Sequence, residues 1–336
     1  MLIRVGVDYT PLHGKVMLCD ADILLYRCAS AAEKRHYLVE YPDGTYSTHP
    51  TAKEAEAQAY SVDGCYTWNR LEDKGKEFAL DCLRTTCDSI VNRTLPGRVE
   101  YWLSGEESFR KELAFTKPYK GGRPERPKHY QVVRDALIED YGATETEHGL
   151  EADDALGIGS TQLGEASFIC TIDKDLDQCP GWKFNWVNDR VYKISKRDGD
   201  FRFYTQLLTG DSVDNVPGID GIGPAGAAKL LEGAKNTRDL FTRVWSVYRD
   251  RCSSPSIEAA WEYLLEQSQL LYILREPYSE REGIRFYEPP YIPEEVVKSY
   301  VSKENGQENI RRQLAEAHEK FSSSSTESSG DLSILI

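Results

Sequence analysis

The sequence predicts an α/β fold, a mainly parallel central sheet followed by a helical C-terminal domain. Three observations carry this. Short apolar runs ending in acidic residues, Val16 to Asp20 and Ser167 to Asp173, have the length and composition of buried strands. Stretches of helical period separate the strand candidates, as parallel pairing requires. Beyond about residue 200 the strand signals fade and helical composition takes over. The chain has 336 residues with 40% hydrophobic content, enough for one large core or two smaller ones.

In chain order, Val16 to Cys19 reads as the first strand and Ile23 to Ala32 as a helix. Tyr37 to Tyr46 reads as a hairpin turning at Pro42-Asp43-Gly44. Residues 51 to 91 have helical composition, and Val99 to Leu103 is a second short strand. Thr116 to Lys128 holds three prolines, two glycines and many bases, the composition of an exposed loop. Helical period returns at Tyr130 to Tyr141 and Glu151 to Leu163. Ser167 to Ile172 is the third strand, and Trp182 to Val187 with Val191 to Ile194 form a second hairpin around Asn188-Asp189-Arg190. The division predicted is 1–200 for the sheet domain, 201–320 for the helical one and 321–336 for a disordered Ser/Thr/Glu/Gly tail. The tail ends in apolar Leu332-Ser333-Ile334-Leu335-Ile336, either a docking peptide for a replication protein or an unbound terminus.

No apolar run approaches a bilayer span and the N-terminus lacks a signal-peptide core, so the expected location is the cytoplasm, without a membrane partner. The eight cysteines include no C-x-x-C pair and no zinc spacing, and read as reduced thiols, Cys19 and Cys170 as core. The net charge of −14 opposes phosphate binding in sum. Locally, Arg110, Lys111, Lys117, Lys120, Arg123, Arg126 and Lys128 face only Glu112 and Glu125, a stretch suited to a polyanion.

Acidic residues gather where predicted strands end, the end at which parallel sheets collect functional groups. Asp20 follows the first strand. Asp173 and Asp175 follow another and, at period two, would lean to one side. Glu151 and Asp154 share a face at a helix start, with Asp153 beside them. Singly, such residues often only favour a helix dipole or make a turn. Several together, without nearby bases, suit hard divalent cations, and two ions about 4 Å apart would stabilise both oxygens of an in-line displacement at phosphorus. Gly218 to Leu231 joins a glycine turn to an alanine-rich helix. No strand precedes it as a dinucleotide fingerprint requires, so a hairpin of helices gripping a nucleic-acid backbone fits better.

Taken together, Cys19-Asp20-Ala21-Asp22, Phe109-Arg110-Lys111-Glu112, Tyr119-Lys120-Gly121-Gly122-Arg123, Glu151-Ala152-Asp153-Asp154, Thr171-Ile172-Asp173-Lys174-Asp175 and Gly210-Asp211-Ser212-Val213-Asp214-Asn215-Val216-Pro217-Gly218 stand in a recognisable order. Over roughly residues 15 to 275 the chain resembles the 5′-3′ exonuclease and flap endonuclease family, most closely the replication exonucleases of podovirus-type phages. The resemblance implies a PIN-like nuclease sheet and a helix-three-turn-helix at about 210–232 that holds duplex DNA and a K⁺ ion. It assigns Asp20, Glu151, Asp153, Asp154, Asp173, Asp175, Asp211 and Asp214 to two Mg²⁺ sites, directly or through water, with Mn²⁺ able to substitute. Asp22 either joins them or caps its helix.

The resemblance also makes the basic stretch, about 105–130, an arch for the single-stranded 5′ end. Lys120 and Arg123 would contact the scissile phosphate and act with Asp153 in catalysis. Arg110, Lys111, Lys117 and Tyr119 would touch DNA, Tyr119 by stacking unless it is plain packing, and Gly221, Gly223 and Lys229 would hold the duplex. Where the family carries an aspartate after the strand ending at Leu103, this chain reads Ser104-Gly105-Glu106-Glu107. Either Glu106 replaces it or one ligand is missing. The implied activity is Mg²⁺-dependent 5′-3′ exonuclease and flap endonuclease action, by a monomer, on double-stranded DNA with a 5′ end or flap and on RNA–DNA hybrids. The setting would be phage DNA replication or degradation of host DNA in the infected cell. The alternatives are an RNA nuclease and a non-catalytic DNA-binding protein on the same fold.

Overall fold

The computed structural model describes residues 6–122, 125–251 and 256–301. Arg123 and the tail at 321–336 lie outside the described residues. The elements run β1 (Val16–Asp20), α1 (Ala21–Ala31), β2 (Glu33–Glu40), β3 (Tyr46–His49), α2 (Ala52–Tyr60), β4 (Tyr66–Asp73), α3 (Lys76–Thr94), β5 (Arg98–Leu103), α4 (Phe109–Leu113), α5 (Tyr130–Glu139), β6 (Thr144–Glu145), α6 (Ala152–Leu163), β7 (Ser167–Cys170), β8 (Gly181–Asn185), β9 (Arg190–Ile194), α7 (Lys196–Thr209), α8 (Pro224–Leu231), α9 (Thr237–Arg251), α10 (Ile257–Leu271) and α11 (Glu294–Val301). The described residues form two compact units. One is drawn from 6–20, 95–122 and 144–301, the other from 21–94 and 125–143.

The larger unit contains a six-stranded sheet of order β6-β5-β1-β7-β8-β9, parallel throughout except for the β8–β9 hairpin. β1 lies inside it with Cys19 opposite both Tyr101 and Cys170, so the carboxyl ends of β1, β5 and β7 finish level. Met17 to Asp20 are all buried, as expected of a strand covered on both faces. Leu18 and Ile169 of the sheet pack with Leu156 of α6, Leu176, Cys179 and Ile273. Gly157 permits that approach, since a Cβ there would stand 2.4 Å from the Leu274 carbonyl oxygen.

Phe203, Phe241, Trp245, Trp261 and Leu264 anchor a second core among α7 to α11. Because Ile273, just beyond α10, packs into the sheet core, the compact units follow packing and not the sequence boundary drawn at residue 200. Among the described residues no helix is long and apolar enough to cross a membrane, and the described cysteines are free thiols.

The smaller unit pairs helices α1, α3 and α5 with a three-stranded antiparallel sheet of order β3-β2-β4. The turn at Pro42-Asp43-Gly44 forms as expected: Gly44 takes φ +79 and the Asp43 carboxylate accepts from the Thr45 N–H at 2.9 Å. The helix expected across 51–91 does not form as one piece. α2 stops at Tyr60, Asp63-Gly64 turns the chain, and Tyr66–Asp73 pairs with β2 as β4. Its Tyr-Thr-Trp start has β propensity, and β2 supplies the ladder that a composition count cannot see.

Lys183 on β8 is 1% exposed and its ammonium has no hydrogen-bond partner. Burial brings its pKa down to about 8. Between that value and the unfolded lysine's of about 10.4 the unfolded chain binds more protons, so stability rises with pH across the window. Below it the full cost, about 3 kcal/mol, is present. Lys183→Met is expected to stabilise the protein by about that much at pH 7 and by much less at pH 9.5, read by urea unfolding at both.

Candidate active site

The carboxyl ends of β1 and β7 and the start of α6 bring carboxylates together. Asp20, 2% exposed, accepts from the Thr171 hydroxyl at 2.8 Å. Asp173 and Asp175 lie past the end of β7, so strand alternation does not orient them. Their common side comes from a turn in which the Asp173 carboxylate accepts from the Asp175 N–H at 2.8 Å. Asp153 sits in the first turn of α6. No hydrogen bond or ion pair engages its carboxylate among the described residues.

Burial, then Asp20 and Asp173, push the Asp153 carboxyl well above the usual range. Burial, followed by Asp211 and Asp214 among the charges, raises Asp173. Burial and Asp173 push Asp175 up to about 6, against the pull of Arg202 at 2.7 Å. These carboxylates repel one another across the site. Among the described residues, no three acidic, histidine or cysteine side chains converge as a ready ion cage. The donor set nevertheless fits a hard divalent cation, since it is all oxygen and Asp153 has no base of its own.

Asp211 and Asp214 reach this site on a closed loop. Asp211 and Val216 exchange backbone hydrogen bonds at 2.7 and 2.8 Å, and the Asp211 carboxylate accepts from the Val213 N–H at 2.8 Å. Gly210 and Gly218 close its ends in the left-handed region, where a Cβ on Gly218 would stand 2.3 Å from the Gly210 nitrogen.

The bases absent from the sequence expectation are present in the fold. Arg110, 3% exposed, makes a bidentate pair with Asp154 at 2.7 and 2.8 Å. Asp154, fully buried, also accepts from the Glu151 and Leu274 N–H groups at 3.0 and 3.1 Å. Glu151 is the N-cap of α6 and forms a capping box with Asp154. Burial alone would raise Glu151, but Arg110 and Lys120 bring it down to about 2. Arg110 is therefore a buried structural cation and has no face for DNA. Asp154 is committed to it, and the implied metal role for Asp154 is the one the geometry least supports.

The start of the basic loop docks here as well. Lys120 donates to Glu151 at 2.7 Å and lies 4.0 Å from Asp214. Tyr119 is 6% exposed, and its hydroxyl donates to Glu151 and Asp214 at 3.1 and 3.0 Å, which leaves no ring face for a base. The Lys120 N–H donates to the Asp214 carbonyl at 2.9 Å and the Asn215 amide to the Pro118 carbonyl at 2.9 Å. Lys120 and Asn215 both hold positive φ, +56 and +62, at this junction.

Lys111 and Lys117 are exposed, as are Gly221, Gly223 and Lys229 around the start of α8. Asp22 occupies the first turn of α1, in the smaller unit. At the end of β5, the Ser104 hydroxyl accepts from the Ala152 N–H at 2.9 Å, while the Glu106 side chain is exposed. Sequence reasoning missed Glu266. It is 4% exposed and accepts from the Phe115 and Thr116 N–H groups, both at 2.6 Å, and from the Thr116 hydroxyl, pinning the stem of the loop. Its signal was an acid three and four residues from Tyr263 and Leu270 on the apolar stripe of α10.

No family model matches the chain. DNA polymerase I of Rhizobium leguminosarum is 34% identical over 158 residues, 42% of this chain and 15% of the polymerase. Flap endonuclease Xni of Shewanella denitrificans is 29% identical over 172 residues, 46% of this chain and 67% of the enzyme, and a 5′-3′ exonuclease of Buchnera aphidicola is 29% identical over 177 residues, 47% and 61%. The chain is thus similar to proteins named flap endonuclease and 5′-3′ exonuclease. A T5 D15 protein crystallised with metal ions is similar in structure at TM-score 0.48 and 16% identity, over 77% of this chain and 88% of that one.

Proposed function

We propose that this chain is a metal-dependent 5′-3′ nuclease that hydrolyses DNA phosphodiesters at 5′ ends and flaps, and RNA strands paired to DNA. One observation carries the proposal. Asp153, Asp173 and Asp175, these three raised by burial and by neighbouring carboxylates, crowd with Asp20 and Asp211 at the carboxyl end of the sheet, where a fold selected for stability alone would pair or remove them. Asp20, Asp153, Asp173, Asp175, Asp211 and Asp214 would hold two Mg²⁺ ions, with Mn²⁺ able to substitute, and such ions would supply a Lewis acid for the phosphoryl oxygens and lower the pKa of a bound water.

The protein's own groups do the rest. Lys120, at the rim between Glu151 and Asp214, turns its ammonium to the scissile phosphate when substrate arrives, and Arg123 follows in the same loop. Tyr119 and Glu266 fix the loop against the site. Glu151 orients Lys120. The exposed turn from Gly221 to Gly223 and the start of α8 present backbone N–H groups, with Lys229 nearby, to the duplex backbone, and the carbonyls of that turn are the proposed K⁺ ligands. The turn and α8 thus serve DNA binding, while the carboxyl end of the sheet and the Asp211–Asp214 loop serve catalysis.

Product sizing on 5′-labelled duplex, flap and RNA–DNA hybrid substrates tests this. Short 5′ products are expected with Mg²⁺ or Mn²⁺ and none with excess EDTA. Full cleavage in EDTA, or products only from the 3′ end, would overturn it.

A further inference from the structure

One face of the small sheet carries aromatic rings into solvent. Pairing places Glu40 between Tyr46 and Tyr66, Leu38 between Thr48 and Trp68, His36 beside Arg70 and Lys34 beside Glu72. Residues opposite one another in a ladder share a face, so all of these line one side. Tyr46 is 66% exposed, Tyr66 74% and Trp68 42%. The other side belongs to α2: Gln58 donates to the Tyr41 hydroxyl at 3.1 Å, Tyr41 bonds Ser47 at 3.0 Å, and Val39 and Ala55 are buried. β4, exposed along its whole length, forms one edge.

We infer that this face is a stacking platform for single-stranded nucleic acid. Tyr66 and Trp68, two residues apart on one strand, project their rings about 7 Å apart, room for one base each. Tyr46 continues the row across the sheet. Bases stack on such rings whatever their sequence, provided that nearby cations meet the backbone phosphates. Lys34 and Arg70 stand exposed on this face for that purpose. Glu72 is hydrogen-bonded to His36 at 2.8 Å, and Glu40 is the other acid on this face among the described residues. A protein partner would favour an apolar centre depleted of lysine, whereas here the rings at one end of the face run directly into exposed Arg70 and Lys34 at the other. Its physiological ligand, the single-stranded 5′ portion of a substrate, rests on the nuclease reading above. The platform itself does not depend on the catalytic carboxylates.

Fluorescence anisotropy of the full chain with labelled (dT)20, in EDTA so that nothing is cleaved, tests the inference. Tyr66→Ala and Trp68→Ala are each expected to weaken binding about tenfold. Tyr66→Phe and Trp68→Phe, which keep a ring, should stay within about twofold. Arg70→Ala should lower the salt dependence by about one phosphate contact. Blunt-duplex cleavage in Mg²⁺ should be unchanged in all five. Unaltered (dT)20 binding by both alanine variants would overturn the platform, as would a wild-type dimer in sedimentation that Trp68→Ala dissolves, since the face would then belong to a second copy. If (dT)20 binding depends on the rings while no substrate is cut in Mg²⁺, the nuclease reading fails and the platform stands.

Discussion

Asp153→Asn is expected to lose at least about a hundredfold in cleavage rate while the protein becomes harder to unfold. The two effects have one cause. Burial, Asp20 and Asp173 disfavour the ionised carboxylate, so at neutral pH the charge costs stability. Asparagine removes the charge at nearly the same volume, and with it the anionic donor proposed to hold the divalent ion. A residue kept for packing would behave differently, with stability and activity falling together. The measurements are urea unfolding at pH 7 and single-turnover cleavage in Mg²⁺. A variant that cuts at the wild-type rate would remove Asp153 from the site.

Arg110→Met is expected to destabilise the protein by about 3 to 5 kcal/mol, since it leaves the buried Asp154 side chain without its guanidinium partner. Arg110 also donates to the Leu270 and Tyr272 carbonyls at 3.1 and 2.7 Å, so the change frees acceptors at the end of α10 as well. Arg110→Met combined with Asp154→Leu should recover most of the loss, because the buried charge leaves with its partner. Glu151 adds a pH signature. Its pKa lies below the unfolded value, so its contribution is present above about pH 4.5 and is lost as the pH falls toward about 2. In Arg110→Met that acid dependence should shrink. Urea midpoints at pH 7 and pH 3.5 measure both effects, and equal stability of wild type and Arg110→Met at pH 7 would deny Arg110 its structural role.

Much of the fold was legible because local physics dictates it. β1 and β7 are short apolar runs that only a doubly covered strand accommodates, and Pro42-Asp43-Gly44 encodes its turn through φ and an aspartate hydrogen bond. The hairpin of β8 and β9 and the run of helices after residue 195 follow from the same kind of signal. β4 was not legible, since its ladder is supplied by β2, some thirty residues earlier.

At the site, sequence by itself determined which acids end the strands and open α6, and that a basic, proline-broken loop lies between Asp20 and the rest. Tertiary structure alone decided which of those acids carry a counter-charge. Arg110 meets Asp154 across 44 residues, Lys120 meets Glu151 across 31 and Glu266 reaches Thr116 across 150. The physical reason is range. Turns, caps and strand periods are written within a few neighbouring residues, whereas a carboxylate's charge state depends on burial and on whichever groups the fold brings within a few ångströms.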